Sequence, residues 1–220
     1  MDIELFVKYG PALLRGFAVT VACWIVSTAC AVVVGFLISL LQRYGNAAIR
    51  AVLRIYIEVI RGTPFLVQLF LLYYGGPFVG IKLDSFPAGL LALTIYGSPY
   101  FAEIFRAGFQ SVPRGQIEAA CATGFDELTI VRRIMLPMML VSTLPALINF
   151  AIILTKETVI LSVVTIPELR YEVQTMAAET FAFVEANLAL ALFFWGFVEA
   201  IARIGKALER RVTSYLLVRP

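Results

Sequence analysis

An all-α integral membrane protein is the fold class the sequence predicts, and three observations predict it. Of 220 residues, 60% are hydrophobic and only 15% charged, with a mean hydropathy of +0.88, well above globular usage. Residues 16–41 form an uncharged run of 26, about 39 Å as a helix and enough to cross a hydrocarbon core of about 30 Å. Lys and Arg collect in alternate connecting segments rather than in one patch, which is the pattern of membrane topology and not of nucleic-acid binding. The length leaves room for roughly five or six such helices and none for a separate catalytic domain.

The first span, about 16–41, is secure. Asp2 and Glu4 make the chain's start acidic and the following apolar run is long, so a cleavable leader is not expected and the segment stays as a helix. Ser27-Thr28-Ala29-Cys30 lies mid-span and lacks the aliphatic start of a lipoprotein cleavage site. Ser27, Ala31, Gly35 and Ser39 recur every fourth residue, a stripe of small side chains that lets helix backbones approach in lipid.

Further spans are expected at about 53–75, 87–108, 134–154 and 181–202, giving one membrane domain over 1–220 with five transmembrane helices. Residues 159–166 are apolar but too few to cross alone; they either extend span four or fold back as a re-entrant element. Segments 42–54, 106–133 and 203–220 hold three, four and five Lys or Arg. The N-terminus to Arg15, 75–86 and 155–180 hold two, one and two, and Arg61 inside span two completes the 18. The excess places the first set in the cytoplasm, with the N-terminus outside and the C-terminus inside. Tyr73 and Tyr74 suit an interfacial aromatic belt.

Composition also removes function classes. With no histidine, a Ser-His hydrolase, a His-ligated metal and an imidazole proton relay are excluded. Cys23, Cys30 and Cys121 have no metal-ligand spacing and read as small packing residues, so no metal site is expected. No G-x-x-x-x-G-K-[ST] sequence occurs, so ATP is not expected to bind through a P-loop here. The chain reads as a non-enzyme.

Charges and breaks lie inside the spans. Glu58 and Arg61 are three apart, as are Glu103 and Arg106, each pair on one helical face. Buried in lipid they act as a polar inner gate or as self-neutralised helix pairing. Pro64 removes the hydrogen bond to Ile60 and Gly62 weakens the same turn, so a kink is expected there. In span three, Pro99 and Gly97 favour a break. Beyond it a half-helix would open its positive end at mid-membrane, where broken transporter helices meet anionic groups.

Residues 112–133 carry the most specific signal: Glu118-Ala119-Ala120, Gly124 after three residues, Ile134 after nine more, then Leu136-Pro137. Pro113 suits a first helical turn and Gly124 a left-handed stop. Asp126 caps a second short helix running toward Arg132 and Arg133. A helix, a sharp turn and a helix would lie across the membrane face, with Glu118 and the small Ala119 and Ala120 presented to a partner.

This E-A-A-x-x-x-G-x9-I-x-L-P pattern resembles the signature loop of bacterial ATP-binding cassette (ABC) importer permeases. Leu13-Leu14-Arg15-Gly16 with Thr20, Glu58-Val59-Ile60-Arg61-Gly62-Thr63-Pro64, Tyr100 with Ala102-Glu103-Ile104 and Arg106, and Lys156-Glu157-Thr158 resemble elements of its polar amino-acid branch, the histidine, glutamine and arginine type. The resemblance implies a permease of the inner (cytoplasmic) membrane whose coupling helix, between helices three and four, docks in a cleft of an ATP-binding subunit. It implies as partners two copies of that subunit, a second permease copy or paralogue, an external solute-binding protein and membrane lipid. ATP and Mg would sit on the partner ATPase, with no cofactor in this chain. The coupling residues are then Glu118, Ala119, Ala120, Gly124 and Asp126. Tyr96-Gly97 stands where many relatives carry Asn-Ser.

A solute pathway is expected from Tyr96, Gly97, Ser98 and Pro99 together with Lys156, Glu157 and Thr158. An amino-acid carboxylate would meet the half-helix and the ammonium Glu157. The competing readings are a self-sufficient ion-coupled secondary carrier, against which the lack of an inverted repeat speaks, a membrane-embedded assembly protein, and the same ABC machinery carrying a derivative such as an opine.

Overall fold

The computed structural model describes residues 3–214, and every regular element among them is helical. α1 (Ile3–Tyr44) is 42 residues long, about 63 Å at 1.5 Å per residue. It therefore outruns the span 16–41 at its N-terminal end. α2 (Ala47–Gly62) opens on Asn46, whose side chain accepts from the Ile49 N–H. α3 (Phe65–Phe70) continues as a π-helical turn (Leu71–Gly75) and a 3₁₀ turn (Gly76–Val79).

Residues 53–75 are not one straight rod, because Ala47–Gly62 and Phe65–Val79 meet at 109°. The expected kink is a full corner for a local reason. Thr63 precedes a proline and is driven out of the helical region, to φ −119°, ψ 142°, and Pro64 is also extended at ψ 142°. Two extended residues in succession turn the chain where one missing hydrogen bond would only bend it.

α4 (Ser85–Ser111) corrects a second expectation: it runs unbroken through Pro99, so no half-helix begins at its centre. The carbonyl of Ile95, which Pro99 cannot reach as a donor, accepts instead from the Tyr56 hydroxyl at 3.1 Å and Ser98 Oγ at 3.2 Å. Gly97 is no hinge. A Cβ there would lie 3.0 Å from Ala31 Cβ and 3.2 Å from Leu154 Cδ1, so neighbouring helices splint the position.

The small-residue stripe of α1 is a packing face, as expected. Ser27, Ala31 and Ser39 are buried, and a Cβ on Gly35 would come within 2.7 Å of Ser98 O and Phe101 Cβ. α1 and α4 thereby form the most extensive helix contact in the structure.

α5 (Arg114–Ala122) leads to α6 (Glu127–Ile130). α6 is not a separate short helix. It passes through a π-helical turn (Val131–Met135) into α7 (Leu136–Glu157) and on through a 3₁₀ turn (Thr158–Val164). Glu127–Val164 is thus one 38-residue helix. Of the two alternatives for 159–166, the structure takes the first: the segment continues the helix expected as span four, until Thr165 reverses the chain at φ 61°.

The expected loop 155–180 holds a helix, α8 (Leu169–Thr180), which buries Leu169, Val173, Met176 and Ala177 on one face against α1 and α9 (Phe183–Ser214). Among the described residues Leu5–Tyr44, Glu127–Val164 and Phe183–Val212 are long and apolar enough to cross a membrane, and the bent pair is a fourth candidate. α4 has the length but is diluted by Tyr96-Gly97-Ser98-Pro99-Tyr100; it lies against α1, α2, α3 and α7. The chain is a multi-pass membrane protein. Arg219, counted in the basic C-terminal tail, lies outside the described residues.

Glu168 fastens α8 to α1. Fully buried, it accepts from the Tyr171 N–H at 3.0 Å and from the Thr20 hydroxyl at 3.2 Å, while the Leu169 N–H donates to Thr20 Oγ1. Burial pushes its carboxyl up from 4.5 to about 7. Between those values the folded chain holds a proton the unfolded chain has released, so stability is complete below about pH 4.5 and declines as pH rises through about 7. The wild-type unfolding free energy in lipid nanodiscs should fall between about pH 5 and about pH 8, by up to about 3 kcal/mol, with a lowered unfolding midpoint. Glu168→Gln should flatten that profile. A wild-type midpoint that rises over this range would refute the assignment.

Candidate functional site

The loop after α4 is built as a helix stop followed by a helix start. Pro113 caps α5 in an extended conformation. At the far end the Phe125 N–H donates to Ala120 O and the Gly124 N–H to Cys121 O, with Gly124 at φ 84°. That is the paired closure in which the residue past the cap takes the left-handed region, as the sequence leads one to expect of Gly124. Glu118 and Ala119 are exposed and Ala120 is buried. Asp126 stands before the next helix and accepts from the Thr129 hydroxyl, which holds its carboxyl below the usual range. Phe125 and Leu128, which the sequence did not single out, add exposed apolar surface beside these groups.

In the middle of the bundle the expected pathway residues divide. Tyr96 and Glu157 come within electrostatic range of each other. Lys156 is exposed. Thr158 is buried with its hydroxyl donating to Thr155 O at 2.6 Å. Ser98 is buried with its Oγ 2.7 Å from the Tyr56 hydroxyl, and Gly97 and Pro99 are packing positions against neighbouring helices. Sequence reasoning missed Phe65, whose ring centroid lies 5.1 Å from that of Tyr96, and Tyr100, 5.4 Å from Tyr96. The four-residue spacing of Tyr96 and Tyr100 on one helix was the available signal.

Of the two expected ion pairs, one closes. Arg106 grips Glu103 with two nitrogens, Nη2 at 2.7 Å from Oε2 and Nε at 3.1 Å from Oε1, a bidentate geometry. Glu58 and Arg61 do not pair with each other among the described residues. Arg61, in the last turn before the corner, instead sets its guanidinium 5.4 Å from the centre of the Tyr100 ring.

Gln68 holds the corner that aims Arg61 and Phe65. Its Nε2 donates to Ile60 O at 2.8 Å, the carbonyl Pro64 leaves free, and lies 3.1 Å from Thr63 O. A side chain thus replaces the helical donors that two extended residues withdraw.

A polytopic helical membrane protein with an exposed helix-turn-helix between two long helices is the class this fold and loop define. Residues 24–214 match the family model described as the binding-protein-dependent transport system inner membrane component, and the chain belongs to that family. It is 30% identical to the probable amino-acid ABC transporter permease protein YckA of Bacillus subtilis (strain 168), over 98% of this chain and 95% of that one. It is also 30% identical to the arginine transport system permease protein ArtQ of the same organism, over 97% and 98%. A crystal structure of an amino acid ABC transporter with histidines superposes with a TM-score of 0.89 at 34% identity, covering 96% of this chain and 99% of that one. An inward-facing structure of the MetNI methionine ABC transporter shares the fold, with a TM-score of 0.78 at 24% identity over 96% and 99%.

Replacing Gln68 by Leu keeps the volume but strands the Ile60 and Thr63 carbonyls, a loss of about 1–3 kcal/mol. Unfolding in nanodiscs should show this as a lowered midpoint. An unshifted midpoint would mean the corner holds without the clamp.

Proposed function

We propose that this chain is the permease subunit of an ABC importer that carries a polar amino acid or a closely related small solute into the cytoplasm by alternating access. The carrying observation is the exposed α5, Gly124, α6 element standing at the head of a single long helix, in a chain that belongs to this transport family. Five crossings are assigned to α1, the α2–α3 pair, α4, α6 with α7, and α9, in an inner membrane with the N-terminus outside and the C-terminus in the cytoplasm. The excess of Lys and Arg on one set of connections supports that orientation.

α5 is assigned as the coupling helix, set by its exposed Glu118 and Ala119 into a cleft of an ATP-binding subunit, with Ala120 packed beneath them; two such subunits bind ATP and Mg and supply the energy. Glu127–Val164 is the rigid element that carries the motion, since it begins beside Asp126 and contains Glu157. A displacement at its loop end is delivered to the centre of the bundle. The solute arrives from an external binding protein and passes between this chain and a second permease copy or paralogue. Glu157 with Tyr96 receives its ammonium group. Lys156 and Thr158 flank that group on the helix. Gly97, Ser98 and Pro99 shape the wall, and the Glu103–Arg106 pair closes the inner end.

Two measurements on the reconstituted complex test the reading. Gly124→Val puts a β-branched side chain at φ 84°, where it is a steric outlier. Stimulation of ATP hydrolysis by loaded binding protein should fall tenfold or more while the subunits still co-purify. Wild-type stimulation in that variant would remove the coupling role. Glu157→Gln should lower uptake tenfold or more at a fixed external amino-acid concentration, and unchanged uptake would remove the pathway assignment.

A further inference from the structure

Arg54, Glu58 and Arg61 occupy one face of α2, at intervals of four and three. α2 packs along the edge of that face, where Ile57, which also lines the cavity described next, is buried against Ile38 and Ala102. The charged face borders a cavity of about 340 Å³ between α2, the end of α1 and the half of α4 that leads into α5. Gln42, Arg54, Glu58, Arg61, Glu103 and Arg106 line it.

The charges on these walls do not balance. Arg106 and Glu103 neutralise one another. Arg54 and Glu58 are in no ion pair among the described residues, and Arg61 has the face of Tyr100. On the wall formed by the end of α1 the Gln42 Oε1 atom is buried with no hydrogen-bond donor among the described residues. Arg54 and Glu58 without ion pairs, Arg61 with only an aromatic face, and the Gln42 Oε1 atom without a donor thus border one cavity.

One wall residue of the cavity, Arg61, also touches the aromatic residues near Glu157. Tyr96, beside Glu157, neighbours Tyr100 at 5.4 Å between ring centroids, and Tyr100 carries Arg61 on its face. Arg61 thus joins the wall of this cavity to the Tyr96–Tyr100 pair beside Glu157.

We infer that the cavity is a second, inner-side binding site for the zwitterionic head of an α-amino acid, with the carboxylate on Arg54 and Arg61 and the ammonium on Glu58 and Gln42 Oε1. The inference rests on the amino-acid reading proposed above. Its size is at the low end of small-molecule pockets, matched to a single amino acid. A simple anion satisfies the guanidinium groups but leaves Glu58 and Gln42 unanswered, and an amine does the reverse. The zwitterion answers all four. Arg61 also exchanges a weak cation–π contact for a charge-assisted hydrogen bond when the site fills. The site is a release station that cytoplasmic amino acid can also occupy.

The test uses the permease with its ATP-binding subunits in nanodiscs, without nucleotide or binding protein, and a mixture of radiolabelled L-amino acids in equilibrium dialysis. Two saturable components are expected for the species retained. Arg54→Gln with Arg61→Gln should weaken one component tenfold or more and leave the one that Glu157→Gln removes. Arg203→Gln, which deletes an exposed arginine on α9, should change neither. The near-isosteric Glu58→Gln guards against misfolding: it should abolish the preference for the amino acid over its des-amino analogue at the inner component. Binding that is lost entirely in Glu157→Gln and untouched by the arginine and Glu58 replacements would overturn the inner site and leave the transport reading standing. Equal competition by the des-amino acid in the wild type would make the site an anion site and also overturn the assignment. Retention of no amino acid at all would overturn the amino-acid reading and this inference with it.

Discussion

Lipid offers no hydrogen bonds, so each backbone carbonyl released inside a spanning helix must be answered by another part of the protein. Much of the architecture is a set of such answers. Pro99 frees Ile95 O, and Tyr56 of α2 reaches across to it. Pro64 frees Ile60 O, and Gln68 folds back to it. The helical carbonyls of Ala151 and Leu90 take extra donors from α1, Trp24 Nε1 at 2.8 Å and Ser27 Oγ at 3.3 Å. These bonds give helix packing a directional component that apolar contact in lipid does not supply.

The same bonds explain why α4 is central yet lacks the unbroken apolar stretch of α1, Glu127–Val164 and α9. Its polar and aromatic residues are spent on neighbours: Ser98 on α2, Tyr100 stacked 4.7 Å from Phe150 of α7, Glu103 on Arg106. Gly35 and Gly97 remove the side chains that would otherwise hold α1 and α4 apart. A helix wrapped on most sides by protein has no need of a lipid-compatible surface, and that freedom lets it carry the groups assigned to the solute path.

What could be read from the sequence follows this division. Apolar runs and the alternation of basic loops depend on composition, and they led to the helical membrane class and, for α1 and α9, to helices at the right places. The Gly124 stop was legible because only local backbone geometry is involved. The corner at Thr63-Pro64 was legible as a defect but not as a right angle, since its size depends on two successive extended residues. The continuity of α4 was not legible, because the donors that repair Pro99 come from a residue 39 positions away in sequence and from Ser98. α8 escaped because its polar residues lower its hydropathy, while its buried stripe at Leu169, Val173 and Met176 is short. Within the candidate site, Glu103–Arg106 could be read from spacing on one helix, whereas Arg61 on Tyr100 required knowing which helices meet.

The corner also bears on how the protein is made. α1 is apolar enough to settle in a bilayer as it emerges from the ribosome. α2 is not: its 16 residues include Arg50, Arg54, Glu58 and Arg61, and each charge at mid-membrane costs about 2.5–3.5 kcal/mol on insertion scales. α3 is too short to compensate. The partners that settle this pair, Ile95 O for Tyr56 and the Tyr100 ring for Arg61, lie on α4, which is synthesised later. The corner pair thus owes its polar contacts to a helix that follows it in the chain, so its placement depends on residues translated after it.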